Sequence, residues 1–207
     1  MNIVFDLDGT LIDSKLRLYN LFQHLVPVSE LMYEEYWGFK KKKVSNQMIL
    51  EAQFGYAHEK INSFVENWMV LIESEKYLTL DKKVSGVDEK LEQLNNIATL
   101  YICTDRQDKV ATIKQLNQMS LLKYFKQVLV TQKKVSKELL LKGVLPKSDP
   151  NDWIIGDTGS DIQVGRNLGI STCAVCNGFL NRDVLLDYNP DLLVETIAEF
   201  EIEGIVR

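Results

Sequence analysis

From about residue 87 onward, short apolar runs alternate with amphipathic stretches, and this alternation restricts the fold more than any other feature. "VDEKLEQLNNI" reads as a helix and "ATLYIC" (98–103) as a strand. "DKVATIKQLNQM" (108–119) is helical, and "QVLVT" (127–131) is again a strand. "SKELLLKG" reads as a helix with Ser136 at its N-cap, where a hydroxyl accepts a free backbone N–H. "DWIIGD" (152–157) is a strand ending in an acid, "DIQVGRNLG" a helix closed by Gly169, and "STCAVC" a last strand. Strands separated by helices of about ten residues predict parallel βαβ units, hence an α/β fold with a doubly wound parallel sheet. The opening run Asn2 to Phe5 supplies one more strand, which ends in Asp6 and Asp8 and is broken by Gly9 and Thr10.

Residues 15 to about 80 interrupt this pattern. Leu16, Tyr19 and Phe22 recur at threes, and Phe64, Trp68, Leu71 and Ile72 fit one helix face. Pro27, Gly38 and Gly55 divide the stretch into roughly four helices. The expected organisation is a sheet domain from residues 1–14 and 81–207, with 15–80 inserted as a helical domain over the same sheet edge.

Composition narrows the function classes. Apolar residues make up 45% of the 207, enough for a packed core. The net charge of −5 argues against a nucleic-acid partner that needs a basic face. No run of about 18 apolar residues suggests a membrane span, so no membrane partner is expected. Three cysteines, an odd and sparse number, suit a reducing cytoplasm. Cys173 and Cys176 form a C-x-x-C, but three residues along a strand are about 10 Å apart, too far for a disulfide. No second pair completes a zinc site. His24 and His58 lie far from any nucleophile signal, so a Ser-His-Asp mechanism has little to build on. The run Lys40–Lys43 is either a basic face for an anionic leaving group or, more commonly, a solvated helix end.

The ends of the strands carry the chemistry. The first ends in Asp6 and Asp8, "LYIC" in Thr104, Asp105 and Arg106, and "DWIIG" in Asp157 with Asp161 beyond. Lys133, Lys134 and Lys137 follow "VLVT". Parallel strands bring all of these to one rim, the usual ligand crevice of such a sheet. Each alone reads as a cap, a turn former or a solvated lysine. Together, four carboxylates beside a hydroxyl and a lysine call for a hard cation with oxygen ligands and a bound anion.

On "DLDGTL", Thr104 and "GDTGSD", the chain resembles the haloacid dehalogenase superfamily, in particular its phosphoglycolate phosphatase or β-phosphoglucomutase-like branch. The resemblance runs through nearly the whole chain and implies a helical cap inserted after the first motif. It implies that Asp6 is a nucleophile forming an aspartyl-phosphate and that Asp8 is the general acid, then the base. It further implies that Thr104 and a lysine bind the phosphoryl group. Mg²⁺ would be held by Asp6, the Asp8 backbone carbonyl, Asp157 and Asp161. Lys134 is favoured as that lysine, with Lys133 and Lys137 as alternatives.

Two departures stand out. Asp105 replaces the usual Asn after the second-motif Thr, and no proline follows the candidate lysines. Dehalogenases of the family lack the second acid of the first motif, so Asp8 favours phosphoryl transfer. The expected function is a Mg²⁺-dependent phosphatase for a small phosphorylated metabolite. A phosphosugar mutase is the alternative among enzymes, and a catalytically idle binding scaffold the alternative outside them.

Overall fold

The computed structural model describes residues 1–145, 147 and 149–202. In chain order the elements begin with β1 (Asn2–Phe5) and β2 (Ile12–Asp13). The inserted helices follow: α1 (Lys15–Leu25), α2 (Tyr33–Lys40), α3 (Asn46–Phe54), α4 (His58–Leu71) and the one-turn α5 (Glu75–Leu78). The chain then returns through β3 (Lys82–Lys83), α6 (Val87–Asn95), β4 (Thr99–Thr104), α7 (Lys109–Gln118), β5 (Gln127–Val130) and α8 (Lys137–Val144). It ends with β6 (Trp153–Gly156), α9 (Gly159–Leu168), β7 (Ser171–Val175), α10 (Arg182–Leu186) and β8 (Leu192–Val194).

Six strands form one sheet in the order β5-β4-β1-β6-β7-β8, every neighbouring pair parallel. The middles of the strands are mostly apolar because both faces of the sheet are covered. Successive side chains alternate between two cores. Ile3, Phe5, Leu100, Ile102 and Ile155 join one cluster with Leu91 and Leu116, whereas Val4, Tyr101, Cys103 and Ile154 join the other with Leu141 and Val164. The chain reverses direction in strand order beside β1, so the crevice outside its carboxyl end is the fold's natural binding place.

The inserted helices build a third core of their own from Phe22, Tyr36, Trp37, Leu50, Ile61 and Phe64. Aromatic edges and faces dominate it: Phe22 lies 5.0 Å from Tyr36 and 5.9 Å from Phe64 between ring centroids. The insertion leaves and re-enters through β2 and β3, which pair antiparallel, Ile12 with Lys83 and Asp13 with Lys82.

The expected α1 face is displaced. Leu16 is exposed, and Arg17 is buried instead with Leu21 and Phe22. A threefold apolar period cannot reveal this, because the force that buries Arg17 is ionic. The two-residue β2 and β3, the edge strand β8 and the short α10 are additions to the sequence reading. All three cysteines are unpaired.

Candidate active site

Asp6 follows β1 directly, Thr104 closes β4 and Asp157 follows β6. Parallel pairing therefore sets all three at one edge. Gly9 turns the chain away with a left-handed φ of 87°, which most side chains avoid. It is also pressed against the site: a Cβ there would lie 2.1 Å from Asp157 Oδ2, and one on Gly178 would lie 2.2 Å from the same atom. Asp157 is thus cradled by bare backbone on two sides.

Asp6, Asp157 and Asp161 are buried, and one carboxylate oxygen from each lies within 4.8 Å of the others. Asp161 comes from the first turn of α9, where it closes a capping box by accepting the Thr158 backbone N–H at 3.3 Å and also accepts from the Thr158 hydroxyl at 2.7 Å. Asp157 Oδ2 accepts the Phe179 N–H at 2.7 Å, while its Oδ1 is buried without a hydrogen-bond partner. Lys137 reaches in from the start of α8 and donates to Asp6 Oδ1 at 2.5 Å and Asp161 Oδ1 at 2.6 Å. Burial pushes the Asp6 carboxyl up to about 7, against the pull of Lys137. Burial and then the neighbouring Asp6 hold Asp157 well above the usual carboxylate range. Burial works to lower Lys137, but Asp161 and Asp6 outweigh it and keep the amine firmly protonated. Three acids face one ammonium, and one buried oxygen stays unpartnered. An all-oxygen donor set with excess negative charge fits a hard divalent cation.

Asp8, two residues on, has opposite surroundings. Its carboxylate is gripped by Arg106, with Nε at 2.7 Å and Nη2 at 2.8 Å, and by Arg17 Nη2. Asp81, from the returning chain, sits 3.1 Å from Arg17 Nε and 3.3 Å from Arg106 Nη2. Gln115 of α7 completes the set: its Oε1 accepts from Arg106 at 2.5 Å and its Nε2 donates to Asp81 at 2.9 Å. Burial acts to raise Asp8, but Arg106 and Arg17 outweigh it and hold the carboxyl well below the usual range.

The structure brings Asp6, Asp157 and Asp161 together, with Thr104 and the Asp8 side chain lining the same cavity. It does not bring Lys134 there. Gln132 and Lys133 both take left-handed φ values, 53° and 56°, and Lys134 N bonds back to Thr131 O at 3.0 Å. That curl leaves Lys134 exposed, so the choice of Lys134 gives way to Lys137. Lys133 lines the cavity mouth. The signal for Lys137 was present. Ser136 caps α8 by accepting Leu139 N–H, which makes Lys137 its first residue, at the strand edge. A buried cation at a helix N-terminus opposes the helix dipole and needs carboxylates to offset it. Arg17 and Asp81 carried no motif and were missed, and Arg106 was noted without a role.

In the lysine run, Lys41 to Lys43 are exposed, whereas burial pushes half-buried Lys40 down to about 8. The run also touches the sheet domain. Lys43 Nζ lies 2.5 Å from the Tyr188 hydroxyl, and Lys41 O accepts the Asn181 N–H at 3.0 Å.

The family model described as haloacid dehalogenase-like hydrolase matches residues 3–175. The chain belongs to this family. Its fold is shared with a Clostridium difficile protein assigned as a phosphatase, at 21% identity over 94% of both chains and a TM-score of 0.78. A haloacid dehalogenase-like family hydrolase from Streptococcus pneumoniae is 23% identical over 96% of this chain and 95% of that one, with a TM-score of 0.73. A magnesium-bound hydrolase of the family from Bacillus subtilis is 18% identical over 96% and 95%, with a TM-score of 0.65. No curated protein matches the sequence. Among the described residues no helix is long and apolar enough to cross a membrane.

Proposed function

We propose that this family member is a Mg²⁺-dependent phosphatase acting on a small phosphorylated metabolite through an aspartyl-phosphate on Asp6. One observation carries the reading: a strand-end carboxylate beside two further buried acids, a lysine and an unpartnered oxygen on Asp157. Asp6, the Asp8 backbone carbonyl, Asp157 and Asp161 would hold the cation. When bound, it supplies positive charge that keeps the acids ionised and screens the phosphoryl oxygens.

Asp6 Oδ forms the bond to phosphorus as the ester P–O bond breaks, and Asp8, which rests as a carboxylate, takes the proton of a monoprotonated phosphoryl group and delivers it to the departing alkoxide. Asp8, now a carboxylate, takes a proton from water as that water attacks phosphorus, and the Asp6–phosphorus bond breaks to release phosphate. Lys137 neutralises the charge shared between Asp6 and the phosphoryl group, and Thr104 donates to its oxygens. Arg17 and Arg106 hold Asp8 in the ionised form that the water step requires. Residues 15–80 serve as a cap that excludes water from the core formed by 1–14 and 81–207. The three unpaired cysteines support a cytoplasmic setting.

The test is phosphate release from p-nitrophenyl phosphate with Mg²⁺ and with EDTA. Release that needs Mg²⁺ is expected. Undiminished release in EDTA, or none under any condition, overturns the proposal.

A further inference from the structure

The cavity above the acids, about 240 Å³, has two chemically different halves. Its floor is Asp6, Thr104, Lys137 and Asp157. Its outer wall is apolar: Leu18, Trp68, Met69 and Ile72 from the inserted helices face Phe179 from the loop after β7. The Phe179 ring stacks on Trp37 at 5.6 Å, and its N–H is the one held by Asp157, so that wall is fixed from both sides.

Arg17 and Arg106 also line the cavity, but their guanidinium groups are already engaged. Arg106 uses Nε, Nη1 and Nη2 on Asp8, Gln115 and Asp81. Arg17 is shared among Asp8, Asp81 and the Ile72 carbonyl at 3.4 Å. Among the described residues, Lys133 at the exposed mouth is the cavity's one cation outside an ion pair. Asp105 and Glu73 stand on the same rim with negative charge. Glu73 accepts the backbone N–H groups of Gln107 and Asp108, both at 2.9 Å, which fixes its position at this rim.

A second acidic group on the substrate would therefore meet two carboxylates, Asp105 and Glu73, against the single exposed cation of Lys133. Sugar hydroxyls would lose water against carbon surfaces that return few hydrogen bonds, which is costly. A cavity of about 150 Å³ holds one benzene ring, so this one accommodates a ring or short chain beside a phosphoryl group.

Resting on the phosphatase reading, we infer that the substrate is a monoester of a compact apolar or aromatic alcohol whose phosphoryl group is its only charge. Trp68 and Leu18 set this preference, and Asp105 enforces it by repulsion.

The test compares kcat/KM, with Mg²⁺, for benzyl phosphate, ethyl phosphate, 2-phosphoglycolate and glucose 6-phosphate. All four release alcohols or alkoxides of broadly similar difficulty, so the wall decides the order. Benzyl phosphate should exceed ethyl phosphate by at least about tenfold, since even one buried methylene is worth about that much. It should exceed the glycolate and glucose esters by more. Trp68→Ala and, independently, Leu18→Ala should each collapse the benzyl-to-ethyl ratio several-fold, a change that loss of folded protein alone would not produce. Ile72→Lys should raise 2-phosphoglycolate relative to benzyl phosphate. A wild-type preference for 2-phosphoglycolate or glucose 6-phosphate, or a benzyl-to-ethyl ratio near one, overturns the inference while leaving a phosphatase. Failure to hydrolyse any of these esters or p-nitrophenyl phosphate overturns the phosphatase reading and the inference with it.

Discussion

Asp6 and Asp8 leave the same strand two residues apart, yet they belong to opposite kinds of acid cluster. Around Asp6, three buried carboxylates share one ammonium, and Asp157 Oδ1 has no partner. Around Asp8, two carboxylates face two guanidinium groups, and the quartet is neutral. Desolvating charges is expensive in both places, and only the second cluster offsets that cost internally. The first leaves its charge for something brought from outside. The contrast separates a group left uncompensated from one whose charge is fixed by its neighbours.

The sharpest break of this contrast is substitution at the two acids themselves. Asp6→Asn is nearly isosteric and should keep the fold, but turnover should fall by several orders of magnitude because the covalent step is lost. Asp8→Asn should cost roughly 10²–10⁴-fold, the usual contribution of general acid–base catalysis. Acid-quench trapping of phosphoenzyme should label wild type and never Asp6→Asn. Label on a peptide lacking Asp6 would reverse the two roles.

Next in size is the lone ammonium. Lys137→Ala should lower kcat by about 10²–10³-fold, comparable to removing one preorganised donor from a reacting oxyanion. Lys134→Ala should stay within about twofold, given the exposure of that side chain. Equal effects at both positions would contradict the geometry.

The neutral cluster is probed by stability. Asp81→Ala leaves Arg17 and Arg106 with one carboxylate between them, and breaking a buried charge network of this kind costs about 3–5 kcal/mol. Denaturant midpoints with an unchanged m-value would measure it. A loss below about 1 kcal/mol would mean that the quartet is wetter than its burial implies.

The smallest effect is a slope with pH. Asp6 is pushed up to about 7 in the folded protein from an ordinary 3.8, so between those values the folded state holds more protons than the unfolded one. Its contribution to stability is therefore complete below about 4 and lost as pH rises through about 7. Asp8 is shifted the other way, and its contribution is lost only in strong acid. Metal-free wild type should lose stability as pH rises across this window, less steeply after Asp6→Asn and less steeply with Mg²⁺ added. Identical slopes for wild type and Asp6→Asn would remove Asp6 as the source.

The sheet was legible because it depends on local patterns. The runs ending at Cys103, Val130 and Asp157 are short, apolar and separated by helices, and a parallel sheet covered on both faces buries them. The acids of the first cluster were legible because Asp6 and Asp157 follow strands directly and Asp161 lies in the first turn of the helix after β6. The quartet was not, for a physical reason: Asp8, Arg17, Asp81 and Arg106 are far apart in sequence, and ionic partners leave no period. Leu16 misled for the same reason, since the helix turned to bury a charge rather than a methyl group. Lys134 misled because sequence distance ignored the two left-handed residues that curl the loop back on itself.

The pairing of β2 with β3 means that the inserted helices depart and return at adjacent rungs of one small ladder. What lies between those rungs is interchangeable in length, because closing a longer excursion costs only slowly more. A different module could be grafted at Asp13 and Lys82 without altering the order of any sheet strand. It could not be grafted freely, however. Arg17 and Asp81 would leave with the old module, so Asp8 would keep Arg106 alone, and a replacement must bring its own groups to restore the second half of the quartet.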